Sequence, residues 1–224
     1  MNPIVFTVLL SLHSIAAASR DTIPREGFQQ IQFDASRFDS VTAFALRNLL
    51  DNAAGRGLPT GPLVSRALEG AARRASSDHI LKVVRDHAAA LAEARDALGV
   101  ESRVNELDAG ATAIRSGIPR AALRAIRASR PVGSVEMPLT VLTDIVQRGV
   151  PNTTAQDAVT SISRLPGSDE ALQGLQITVA KNAIRGPGMA VDALNRYLRG
   201  TVQGIASPST PATGDRKPIR PPAP

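Results

Sequence analysis

Between Gly57 and Gly99 the apolar residues fall at intervals of three and four, the period of a helix that buries one face. Leu63, Val64, Ala67, Leu68 and Ala71 form one such stripe, and Arg66, Glu69, Arg73 and Arg74 mostly fall off it. Pro59 is expected in this helix's first turn, where a missing N–H has no intrahelical acceptor to lose. Ser76, Ser77 and Asp78 then offer cap oxygens to a second helix. That helix carries Ile80, Leu81, Val83, Val84, His87, Leu91 and Leu98 before Gly99 stops it.

The same rhythm continues on both sides. Val41, Phe44, Ala45, Leu46, Leu49 and Leu50 predict a helix over 39–54, capped by Asp39 or Ser40 and ended by Gly55. Further helices are expected around Val104–Ile114, Leu123–Ala128, 136–148, Ala155–Ile162, Leu172–Ala183 and Met189–Leu198. Three similar joints punctuate them: Gly57-Leu58-Pro59, Gly117-Ile118-Pro119 and Gly149-Val150-Pro151, lying 60 and 32 positions apart. The spacing fits a period of about 30 with one degenerate unit near 88–116, and such periods belong to helical arrays. The expected fold is all-α: stacked helical hairpins, or an irregular helix bundle in which prolines merely start helices.

Composition sharpens this picture. Aromatic residues make up only 3% of the 224, with no Trp and one Tyr, so the core is built from Leu, Ile, Val and Ala. Alanine-rich helices pack closely, which suits hairpins better than a sheet with aromatic cross-strand pairs. The absence of Cys excludes disulfides, thiolate zinc sites, a Cys nucleophile and a lipid-modified N-terminal cysteine.

The ends read differently from the middle. Residues 1–19 have the apolar run Ile4–Leu12 and the small residues Ala16-Ala17-Ala18 of a secretory signal peptide, although no Lys or Arg precedes the run. Cleavage is expected after Ala18 or Ser19, leaving no transmembrane helix and a periplasmic or secreted chain. Residues 20–38 lack helical periodicity and form an expected N-terminal arm that packs Phe28, Ile31 and Phe33 on the body. A helical domain over 39–204 follows. Residues 205–224 are rich in Pro and polar groups, too poor in apolar ones to fold, and read as a disordered, weakly basic tail.

Chemistry is sparse in the pattern. His79 and His87 stand eight apart, roughly 12 Å along a helix, too far to share one metal ion. No Gly-x-Ser-x-Gly elbow and no phosphate-cradling glycine loop is present. The sequence therefore assigns no catalytic, cofactor-binding or metal-ligating residue and no cofactor. The net charge of +6 rests mainly on Arg, since Lys occurs only at 82, 181 and 217. The strongest functional signal is Arg115, Arg120, Arg124, Arg127 and Arg130, of which Arg120, Arg124 and Arg127 have the spacing of one helical stripe. These are the candidate anion-binding residues, for a polyanion or an acidic membrane surface, although no aromatics interleave for base stacking. A solvated helix face is the plainer reading of the same stripe.

The stretch from Gly57 to Gly99, GLPTGPLVSRALEG followed by HILKVVRDHAAALAEARDALG, resembles uncharacterised exported bacterial proteins with Gly-(Leu/Val)-Pro helical repeats. The resemblance covers about 45 residues well and thinly the remainder to Leu194. It implies an envelope location and an all-α fold, and it brings no activity. The expected function is a non-catalytic interaction or structural module with a protein partner in the envelope. Arginine-mediated binding of polyanions or acidic lipid is the alternative, and a hydrolase-type enzyme built on His79 or His87 ranks last.

Overall fold

The computed structural model describes residues 32–206. The signal segment, Phe28 and Ile31 of the arm, and the tail beyond 206 lie outside the described residues. Within them the chain is all-α, with nine helices and no strand: α1 Ser40–Gly55, α2 Gly61–Ala72, α3 Ser77–Leu98, α4 Val104–Arg115, α5 Arg120–Ser129, α6 Glu136–Gln147, α7 Asn152–Ser163, α8 Ser168–Ala183 and α9 Pro187–Ala206.

The helix starts follow local chemistry. Asp39 caps α1, accepting from the Thr42 N–H at 2.9 Å, and it also accepts from the hydroxyls of Thr42 at 2.6 Å and Ser77 at 3.0 Å. Bonds from the Thr42 hydroxyl and N–H, with one from Ser77, pull the Asp39 carboxyl down to about 2. Ser76 caps α3 by accepting from the His79 N–H. Pro59 is not in a first turn as the sequence suggests: α2 begins two residues later, and Pro62 fills that place. The half-buried rings of Phe33 and Phe38 stack 5.6 Å apart beside the core, so this end of the arm does anchor.

Packing gives two rows. The helices α1, α3, α5 and α7 touch in succession, and so do α4, α6 and α8, while hairpin contacts such as α3–α4 and α8–α9 tie adjacent elements. A 32-residue register underlies the rows. Helices α4, α6 and α8 start at Val104, Glu136 and Ser168, and α5 and α7 start at Arg120 and Asn152. Leu91, Leu123 and Ala155 share one buried register position, and Ala94, Ile126 and Ala158 share another. The interval of 60 between the first two joints is not two such periods. It holds the three helices α2, α3 and α4, and the degenerate unit foreseen near 88–116 is the second half of α3 with α4.

All three Gly joints are Schellman turns. At Gly117 the backbone N–H bonds to Ile114 and the Ile118 N–H to Ala113, and at Gly149 the partners are Val146 and, from Val150, Ile145. The glycines have φ of 84° and 90°, a region that side-chain-bearing residues resist. Each turn drives the next residue into the core, with Ile118 and Val150 both 2% exposed. Neighbouring units also cap the joints: Arg95 donates to the Gly57 carbonyl at 2.8 Å and Asn152 to the Gly117 carbonyl at 3.2 Å.

Candidate functional site

The five arginines expected to form a basic surface part ways. Arg127 lies half-buried and donates to the Glu106 Oε1 at 2.9 Å and to the Gly133 carbonyl at 3.2 Å. Arg130, also half-buried, pairs with Asp169 at 2.8 Å, donates to the Ser134 carbonyl at 2.9 Å and bonds the Ser168 hydroxyl. These two hold the loop between α5 and α6 against the starts of α4 and α8. Arg120 leans toward Glu93 at 3.7 Å, with both side chains about half exposed, and Arg124 is exposed on α5. Arg115, at the end of α4, is exposed and joins a different group of residues. The five candidates are thus divided between internal pairing, for Arg127 and Arg130, and three separate surface positions.

Glu106 explains why Arg127 turns inward. This carboxylate is 3% exposed and accepts from the backbone N–H of Arg103 and of Val135, each at 2.8 Å, as well as from Arg127. Burial pushes its pKa up, but the three donors outweigh burial and leave it below the ordinary value. The group ties α4, α5 and the start of α6 at one point. Removing Arg127 would leave this carboxylate buried without its counter-charge, which is destabilising. The role is structural.

His87 is fully buried on α3, with Nε2 2.8 Å from the Asp108 Oδ1 of α4. With Asp108 ionised, Nε2–H donates, and Nδ1 is buried without a hydrogen-bond partner. The His87 hydrogen bond is the largest influence on Asp108 and lowers its pKa against the opposing effect of burial. The imidazole sits behind the carboxylate rather than at the surface, so it positions Asp108 and is closed to a substrate. His79 is exposed on α3 and far from this pair in the register. Among the described residues, no three His, Cys, Asp or Glu side chains gather as a metal site.

Two recesses remain. The first is a polar groove across the α4–α6–α8 row, in two adjoining parts of about 310 and 390 Å³ that share Glu136 and Thr140. One part adds Asn105, Asp108 and Thr112 from α4, and the other adds Ser134 and Asp169. Its helix positions recur at three and four residues, so hydroxyl, amide and carboxylate groups line up along one face. Of its carboxylates, Asp169 is paired with Arg130 and Asp108 is bonded to His87, while Glu136 has no ion pair among the described residues. No sequence motif announces it, because its residues are ordinary surface residues until α4, α6 and α8 lie side by side.

The second recess, of about 330 Å³, lies where α2, α3 and α4 meet and is lined by Arg66, Glu69, Arg73, His79 and Arg115 beside Ile80 and Val83. Glu69 bridges two guanidiniums, Arg66 at 3.2 Å and Arg73 at 2.7 Å. Arg115 makes no ion pair among the described residues, and its field reaches Asp86, which Lys82 already holds at 2.6 Å. The Arg66 field likewise reaches Asp108.

No protein family, curated protein or solved structure matches the chain. No helix among the described residues is long and apolar enough to cross a membrane.

Proposed function

We propose that this protein is a non-catalytic interaction module of the bacterial periplasm or envelope, related to exported proteins with Gly-(Leu/Val)-Pro helical repeats. Its α4–α6–α8 groove receives an extended, positively charged segment of a protein partner. The observation that carries the reading is the pair of adjoining recesses over α4, α6 and α8 that share Glu136 and Thr140, the kind of surface that stacked hairpins offer to extended ligands. The unpaired carboxylate of Glu136, with Asp108 beside it, favours cationic groups, and the hydroxyls and amide of the groove supply hydrogen bonds to a peptide backbone. The signal-like residues 1–19 supply the route to the envelope.

A photo-crosslinking side chain at Thr140 tests this in native cells, with one at Arg124 on α5 as the control. The expected result is one dominant protein adduct from position 140, absent from position 124 and lost on Glu136→Arg with Asp169→Arg. Equal labelling from both positions, or an adduct indifferent to charge reversal, overturns the groove as the docking surface. Fractionation with N-terminal sequencing checks the location, with a mature chain beginning after Ala18 or Ser19 expected in the envelope fraction.

A further inference from the structure

We propose that the recess between α2, α3 and α4 is a binding site for a compact phosphate-type dianion, separate from the polar groove. Three guanidiniums and an imidazole, from three different helices, converge on it against the single carboxylate of Glu69. Glu69 takes one terminal nitrogen of each bridged arginine, Nη1 of Arg66 and Nη2 of Arg73. Each fork therefore keeps N–H donors for a ligand while the carboxylate fixes where both forks stand. Arg115 approaches from α4 with its whole guanidinium unpaired among the described residues. Of the nearby acids, Asp86 is held by Lys82, and Asp108 lines the polar groove rather than this recess.

The size fits a small ligand: about 330 Å³ is at the low end of the range for small-molecule sites. The lining has no Phe, Tyr or Trp, so recognition rests on charge and guanidinium geometry. Tetrahedral phosphate oxygens match such forks two at a time.

A strained residue borders the site. The α2–α3 turn is a Schellman turn like the Gly joints, with the Ala75 N–H bonded to the Gly70 carbonyl and the Arg74 N–H to Ala71. Its left-handed position is held by Arg74 at φ 55°, where the joints place glycine. Arg74 thus sits in the chain between the lining residues Arg73 and Ala75 at a position where glycine is conformationally easier, and strain of this kind collects at ligand sites.

The test uses the mature chain and isothermal titration calorimetry with inorganic phosphate and with glycerol phosphate. In parallel, co-sedimentation uses phosphatidylcholine vesicles with and without phosphatidic acid. Saturable phosphate binding is expected, weakened at least tenfold by Arg115→Gln and by His79→Gln and unchanged by Arg124→Gln or Glu136→Arg. Binding confined to phosphatidic acid vesicles, with the same dependence on Arg115, assigns the phosphate to a lipid headgroup and keeps the site. No binding in either format overturns the proposal, as does an Arg124→Gln loss equal to that of Arg115→Gln, which marks general charge attraction. Unchanged thermal melting of Arg115→Gln shows that a loss is not unfolding. The Glu136→Arg arm separates this site from the groove, so either reading can fail alone.

Discussion

The 32-residue register places Arg85-Asp86-His87 where Gly117-Ile118-Pro119 and Gly149-Val150-Pro151 stand one and two periods later, yet the chain does opposite things there. At the two later places the helix stops, turns through a glycine and starts again. At the first it continues, and α3 runs unbroken for 22 residues from Ser77 to Leu98. All three places bury a side chain, but the turns deliver an aliphatic one, Ile118 or Val150, whereas the continuous helix delivers the imidazole of His87. A buried imidazole requires a polar partner, and Asp108 supplies it. Leaving the helix unbroken gives α3 an extra stretch, 77–87, on which α2 packs. Interior units need the break to fold back into the rows; the end unit closes by omitting it.

The strongest way to erase the difference is to break α3. His87→Pro removes a helix hydrogen bond and clashes with the preceding turn, at about 3 kcal/mol or more. The chemical denaturation midpoint should fall further than for any other change named below. Next comes Gly149→Ala, expected to cost about 2 kcal/mol, because φ is 90° and the added Cβ would lie 2.9 Å from the Pro187 Cβ. Gly117→Ala has the same backbone problem with nothing within 4 Å of the added carbon, so its loss should be nearer about 1 kcal/mol. Equal losses for the two would mean that contact with α9 does not matter at Gly149.

Arg74→Gly should act in the other direction, raising stability by about 0.5–1 kcal/mol by relieving the left-handed arginine. A drop would show that the Arg74 side chain contributes more than its backbone strain removes. The smallest effect concerns acid. Asp108 is held below its ordinary 3.8 by His87, so its contribution is present above that value and is lost as pH falls through the lower folded value. Denaturation of the wild type and Asp108→Asn at pH 5 and pH 2.5 should show the smaller pH 2.5 loss in Asp108→Asn. Equal losses would remove the pair from the account of this joint.

Much of the architecture was legible because it is local. The helix expected over 39–54 is observed over Ser40–Gly55, and Ser76 and Gly99 bound α3 where capping chemistry places them. The 32-residue register was only half visible: its first unit lacks the Gly-x-Pro signature, and Gly57 starts a joint outside it. The arginine stripe was misleading for a different reason. Arg127 and Arg130 have the spacing of a solvent-facing row, but Glu106 and Asp169 lie 21 and 39 positions away, beyond any helical period. The basic recess was hidden in the same way, since Arg66, His79 and Arg115 belong to three helices and share no motif. Local periodicity locates helices, and their assembly decides which charges meet.

The joint at Gly117 has its exposed carbonyl bonded by Asn152, a residue that belongs to the following period. Asn152 thus ties one period to the next at this joint, and the contacts along each row stay between near neighbours. A second copy of residues 117–148, inserted before Gly149, would keep the register, present its own Gly117 carbonyl to Asn152 and bring its Arg120 to the place of Asn152 at the first joint. Length is then a free variable of this design: the protein could be extended by whole periods, lengthening its groove with each, while α1–α3 and α9 continued to close the ends.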